Sequence, residues 1–205
     1  SGTNNVRSSR QRSEQQSGTN KVRSSRQGRQ SPTRSINRTI RPTPERELCS
    51  SLNIFYTNAD SLLNKKDELQ ARISKSHPDV ICITEVLPKN VIFEVSEESL
   101  SIEGYGLYSS LGNRGVLIYI SNHLISAKVD LNTKFEEYVF CKIKLTNSRT
   151  FIIGCIYRSP GSSKDNNDLL LALMQEIYDM KWDILNITGD FNYKDVNWNT
   201  MESPV

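Results

Sequence analysis

Asp79-Val80-Ile81-Cys82-Ile83-Thr84-Glu85 is the stretch whose reading decides the fold. Its four consecutive apolar residues lack the alternation of a half-exposed strand, so it reads as a central strand buried on both faces. The strand closes on a carboxylate, which is costly to bury unless a metal or another partner satisfies it. Taken alone, Glu85 could equally be an exposed strand-end acid, and the rest of the chain has to decide between these readings.

Upstream, Leu52–Asn58 is a β-rich run ending in Asn58-Ala59-Asp60-Ser61, the polar residues of a helix N-cap. Leu62, Leu69 and Ile73 then follow at helical spacing over 61–75, with Glu68 and Arg72 placed as an i,i+4 pair. His77-Pro78 stops that helix. Downstream, strands are expected over 104–109, 114–121, 125–131, 138–145 and 150–157, separated by Asn, Gly and Ser turns. A helix over about 166–181 carries the stripe Leu170, Leu173, Met174 and Ile177. The last strand, Asp183–Gly189, ends in Asp190-Phe191-Asn192. Helices alternate with strands at both ends and a β meander fills the middle, so the expected class is α/β, with two packed mixed sheets flanked by helices, a four-layer sandwich.

Composition explains why the whole chain looks too polar for such a core. Of 205 residues only 36% are hydrophobic, against about 45–50% apolar in an average domain. The deficit is local. Residues 1–47 carry 11 Lys+Arg against 3 Asp+Glu, a net +8, and almost no large apolar side chains. Residues 48–205 carry 15 against 20, a net −5, and are long enough for one core. Residues 1–11 return as 17–27 with one difference, Asn5 against Lys21, a 16-residue period without an apolar face to stack. With Pro32, Pro42 and Pro44 in the same region, residues 1–47 are expected to be a disordered basic tail. Its arginines either contact nucleic-acid phosphates or decorate a solvated spacer.

No stretch approaches the roughly 18 consecutive apolar residues of a membrane helix, and the N-terminus shows no apolar signal region. Cys49, Cys82, Cys141 and Cys155 show no Cys-x-x-Cys spacing and the last three lie in apolar runs, so they read as reduced core thiols. An intracellular chain without a membrane partner is the expectation.

Four polar signals fall at C-terminal ends of strands, the edge where open α/β sheets place ligands: Asn58, Glu85, Tyr157 with Arg158, and Asp190 with Asn192. Recurrence on four strands favours a site over an isolated exposed acid. The loops around 87–103 and 158–167 have no distinctive chemistry, and Glu94, Glu97, Glu98 and Glu103 argue against the first as a phosphate-binding surface.

Thr57-Asn58-Ala59 followed by Lys65 and Leu69, Pro78-Asp79-Val80 leading to Thr84-Glu85, Arg114-Gly115-Val116, Tyr157-Arg158-Ser159-Pro160, and Gly189-Asp190-Phe191-Asn192 with Trp198 together resemble the endonuclease/exonuclease/phosphatase superfamily. The nearest likeness is to the endonuclease domain of non-LTR retrotransposon polyproteins, over about residues 50–200. The resemblance implies a metal-dependent DNA endonuclease that hydrolyses a phosphodiester. Glu85 would bind Mg²⁺ (or Mn²⁺) with Asn58 beside the ion, a hard-oxygen set suited to it. Asp190 would orient and activate the attacking water, Asn192 and Tyr157 would contact the phosphate, and Arg158 is a reasonable further phosphate contact. DNA and, in an intact polyprotein, a reverse-transcriptase domain are the implied partners, with a nuclear location.

The resemblance departs at its end. The family closes with a Ser-Asp-His segment that has no match before Val205, and neither His77 nor His123 stands in its place. A domain over 48–205 that is incomplete at its C-terminus, and weak or inactive as it stands, is therefore expected. The alternative is a non-catalytic nucleic-acid-binding or interaction remnant. A phosphatase acting on small molecules or lipids is less compatible with the Tyr-Arg-Ser-Pro segment.

Overall fold

The computed structural model describes residues 51–90, 95–194, 196, 197, 199 and 200. The expected tail over 1–47, Cys49 and Trp198 lie outside the described residues.

Among the described residues, eight strands form two four-stranded sheets. The first sheet contains β1 (Ile54–Asn58), β2 (Val80–Thr84), β3 (Tyr105–Ser110) and β4 (Val116–Ser121) in the order β1-β2-β4-β3. The second contains β5 (Ser126–Lys128), β6 (Tyr138–Lys144), β7 (Thr150–Tyr157) and β8 (Ile184–Asp190) in sequence order. β1 runs parallel to β2 and β7 parallel to β8, while the other neighbours are antiparallel. Both sheets are thus mixed, as expected. Each parallel pair is joined through a helix: α1 (Lys66–Ser76) in the first sheet and α3 (Lys164–Asp179) in the second.

The period-2 alternation of strands explains the layers. Val80, Cys82, Val116, Ile118 and Ile120 of the first sheet pack face to face against Val139, Cys141, Ile143, Ile153, Cys155 and Tyr157 of the second. Their neighbours on the opposite faces turn outward. Ile81, Ile83, Leu117 and Tyr119 are covered by Leu62, Leu69, Leu100 and Ile102, and Phe140, Ile152 and Ile156 by Leu170, Leu173 and Ile177 of α3. Every residue of β2 is buried, because it is central in its sheet and covered on both faces. Cys82, Cys141 and Cys155 are buried free thiols. Among the described residues no helix is long and apolar enough to cross a membrane.

Several local expectations change. Asn58-Ala59-Asp60-Ser61 does not cap α1: Asn58 Oδ1 accepts from the Asp60 N–H at 3.0 Å, Ser61 takes a left-handed φ of 83°, and a single 3₁₀ turn (Leu62–Asn64) intervenes. Asn and Asp favour such local side-chain turns over continuing a helix. Arg72 lies over the Phe55 ring, 4.8 Å from its centroid, so its cation covers apolar surface. β5 is three residues long, shorter than the 125–131 expected. Within 87–103 a short helix α2 (Glu97–Leu100) is capped by Ser96, whose hydroxyl accepts from the Ser99 N–H. His77, left-handed at φ 43°, ends α1 as its position before a proline suggested.

Candidate active site

The strands that carry the polar signals do not lie side by side in one sheet. Asn58 pairs in register with Thr84, which places Glu85 one residue beyond at the same edge. Tyr157 pairs with Asp190 at the corresponding edge of the second sheet. The site therefore forms where the C-terminal ends of the two parallel pairs meet.

Asn58 joins them. Its Nδ2 donates to Glu85 Oε1 at 2.9 Å and to Asp190 Oδ2 at 3.1 Å, a contact spanning 132 residues of sequence. One amide thus holds a carboxylate from each sheet, and its own oxygen is fixed by the Asp60 N–H. Glu85 sits in the left-handed region at φ 53°, which turns the chain out of β2 immediately after Thr84. The Gly189-Asp190 end of β8 has a steric cause. Gly189 has φ 149°, and a Cβ there would stand 1.9 Å from the Ile156 carbonyl oxygen.

Arg114 completes the cluster from the turn before β4. Its Nη2 donates to Asp60 Oδ1 at 2.6 Å and makes a short ion pair with Glu85 Oε2. The backbone binds the same neighbours: the N–H groups of Val86 and Leu87 donate to the carbonyls of Gly115 and Arg114. Burial works against the Arg114 charge, but the Asp60 hydrogen bond and the Glu85 charge more than offset it and hold its pKa above the ordinary value. Asp60 is correspondingly held below the usual carboxylate range by its Arg114 hydrogen bond. Glu137, itself buried, accepts from the Arg114 N–H at 3.0 Å. Burial raises its pKa, and the N–H groups of Arg114 and Gly115 oppose that rise.

Tyr157 is buried under the site. Burial first, and then the negative charges of Glu85 and Glu137, push its hydroxyl up to about 12, so it keeps its proton and acts as a donor. Arg158 is 7% exposed. Its Nε donates to Asn167 Oδ1 at 2.7 Å and its Nη1 to the carbonyls of Phe191 and Asn192, while the guanidinium lies 4.1 Å from the centre of the Tyr193 ring. Asn192, left-handed at φ 49°, returns its Nδ2 to the Arg158 carbonyl at 2.9 Å. Arg158 and Asn192 therefore clamp each other and set the loop after β8.

Asn58, Glu85 and Asp190 come together directly, Tyr157 lies beside Glu85, and Asn192 with Arg158 shape the adjoining loop. Asp60, Arg114 and Glu137 were not singled out for chemistry in the sequence. Asp60 was legible only as a helix-cap residue, and Arg114 only as the start of a strand and a family match without a role. The histidines stand elsewhere. His123 pairs with Asp79 at 3.2 Å, at the opposite end of β2 from Glu85, and His77 ends α1.

Among the described residues no three His, Cys, Asp or Glu side chains are grouped to cage a metal. Mg²⁺ does not require a cage: it takes one or two carboxylates and keeps several waters. The charges fit as well, since Asp60, Glu85 and Asp190 outnumber the Arg114 cation that contacts two of them and leave this cluster acidic.

No family model matches the sequence, and no curated protein matches it at a significant level. Solved structures do. The endonuclease domain of TRAS1, a telomere-specific non-LTR retrotransposon, superposes with a TM-score of 0.55 at 17% identity, over 75% of this chain and 66% of that one. The 3′ phosphatase NExo from Neisseria, bound to a product DNA hairpin, gives 0.54 at 16% identity, over 72% and 60%. The catalytic domain of Xenopus laevis APE2 gives 0.52 at 16% identity, over 69% and 58%. The chain therefore has the endonuclease/exonuclease/phosphatase fold. It spans less than two thirds of the length of each of these three structures.

Proposed function

We propose that the chain is the metal-side core of a DNA endonuclease of the non-LTR retrotransposon kind, hydrolysing a phosphodiester with Mg²⁺ or Mn²⁺. The observation that carries this reading is Asn58 bridging Glu85 and Asp190 where the two sheets meet. Likeness of fold to the TRAS1 endonuclease domain supports the retrotransposon branch.

In this reading Glu85 would hold the ion with Asn58 beside it, and the ion when bound would neutralise charge developing on the phosphate. Asp190, tethered by Asn58, orients the attacking water and receives its proton. The water oxygen bonds to phosphorus as the bond to the 3′ oxygen breaks, and the departing oxygen takes a proton from solvent, giving a 3′ hydroxyl and a 5′ phosphate. Tyr157, with its proton retained, donates to a phosphate oxygen, and Asn192 and Arg158 form the phosphate side through the loop they fix. A reverse transcriptase in an intact polyprotein could prime from that hydroxyl.

The described residues bring no imidazole to this site. General acid–base assistance is worth about 10²–10⁴-fold, so turnover by these residues is expected to be slow. Purified protein with supercoiled plasmid and Mg²⁺ or Mn²⁺ is the test. Slow nicking that Glu85→Gln and Asp190→Asn both abolish supports the reading. DNA binding without metal-dependent nicking favours a non-catalytic nucleic-acid-binding remnant, and nicking that survives Glu85→Gln refutes the assignment.

A further inference from the structure

The geometry points to Arg114 as the resident counter-ion of the metal-side carboxylates: a divalent cation enters by exchanging with its Nη2 at Glu85. The inference rests on the proposed reading of Glu85 as a metal ligand.

A single guanidinium nitrogen serves two carboxylates, Asp60 Oδ1 at 2.6 Å and Glu85 Oε2 in a short contact. Glu85 thus has both oxygens engaged, Oε1 by the Asn58 amide and Oε2 by Arg114, with the Tyr157 hydroxyl as a further hydrogen-bond partner. A hard cation approaching Glu85 competes with these donors, and Arg114 is the one whose positive charge it repels. Asn58 is committed on three sides, to Glu85, Asp190 and the Asp60 backbone. Among the described residues, Arg114 is committed by one side-chain nitrogen only, and its Nε and Nη1 are buried without a hydrogen-bond partner. Buried unsatisfied donors are costly, so the guanidinium is held by its Nη2 charge pairs and not by a full set of hydrogen bonds. It is the donor that yields.

Position makes the exchange local. The Arg114 backbone is fixed to the segment after Glu85 by the Leu87 N–H, and to Glu137 by its own N–H, so the side chain alone has to move. Asp60, with its side chain 61% exposed, offers the guanidinium a partner to keep when Glu85 is lost. Arg114 is in these terms a positioning residue: it keeps Glu85 extended toward Asn58 while no metal is bound and weakens metal binding by competing for the same oxygen.

Mn²⁺ binding, followed by the electron-paramagnetic signal of the free ion, reads this without catalysis. Arg114→Met keeps an unbranched apolar stem and removes the guanidinium with its charge. A like charge lost at a few ångströms from a divalent ion should tighten Mn²⁺ binding on the order of tenfold, and Glu85→Gln should abolish it. Binding in Arg114→Met that is unchanged or weaker, while Glu85→Gln still abolishes it, overturns the exchange and leaves Glu85 as a ligand. Binding that survives Glu85→Gln removes the ligand assignment and the exchange with it. If Arg114→Met fails to fold, the arginine side-chain nitrogen spectrum of the wild-type chain decides. An Arg114 signal that shifts along the Mg²⁺ isotherm supports the exchange, and one that stays fixed through saturation overturns it.

Discussion

Asn58→Asp is the most informative substitution at this site because it changes one donor nitrogen into a charged oxygen at constant shape. The nitrogen stands 2.9 Å from Glu85 Oε1 and 3.1 Å from Asp190 Oδ2. Two like charges about 3 Å apart repel by roughly 1.4 kcal/mol at the dielectric of water and about 5.5 kcal/mol at an effective dielectric of 20. Asn58 is exposed, so the watery end applies. With two such pairs, and with side chains free to rotate apart, the net destabilisation at pH 7 is about 2–3 kcal/mol, roughly 5–10 °C in melting temperature for a chain of this size. The repulsion acts only while the carboxyls are ionised, so the deficit is full at pH 7 and should shrink toward pH 4 as they take up protons. A bound divalent cation removes the same repulsion, so millimolar Mg²⁺ should restore the variant more than it stabilises the wild type. Thermal unfolding at pH 4 and pH 7, in EDTA and in Mg²⁺, measures all three effects. An Asn58→Asp protein as stable as the wild type at pH 7 in low salt and EDTA would refute the convergence of the two carboxylates on Asn58.

Gly189→Ala should cost about 3 kcal/mol or more, since its Cβ would collide with the Ile156 carbonyl at a backbone angle that only glycine adopts readily; a urea midpoint equal to that of the wild type would contradict this. Glu137→Gln should melt above the wild type at pH 7 and converge with it at pH 4. The Glu137 pKa is raised in the fold, so its contribution is full below the ordinary 4.5 and is lost as pH rises through the folded value; a pH-independent difference would show that burial is not the cause. Deleting residues 1–47, with their net +8, should flatten the salt dependence of DNA binding. An unchanged slope would mark that segment as a spacer.

The two-sheet sandwich was legible because its cause is local. The apolar run Val80–Ile83 has no polar face and can only be a strand covered on both sides, while the stripe of Leu170, Leu173 and Ile177 announces a helix that covers a sheet. The strand-end positions of Asn58, Glu85, Tyr157 and Asp190 were legible for the same reason: an acid or amide closing an apolar run is visible without a partner. What the sequence left open is pairing at long range. That Asn58 reaches Asp190 across 132 residues depends on how two separate sheets stack, and no periodicity encodes it. Arg114 reads as the first residue of a strand and part of a family match until tertiary packing brings it against Glu85 and Asp60. Arg158 reads as a phosphate contact until the fold engages its guanidinium with Asn167 and the carbonyls of Phe191 and Asn192. Alternation and capping are properties of neighbours in sequence, and charge partners are properties of neighbours in space. The sequence could therefore nominate the residues of this site, but only the packing of one sheet on the other decided which of them touch.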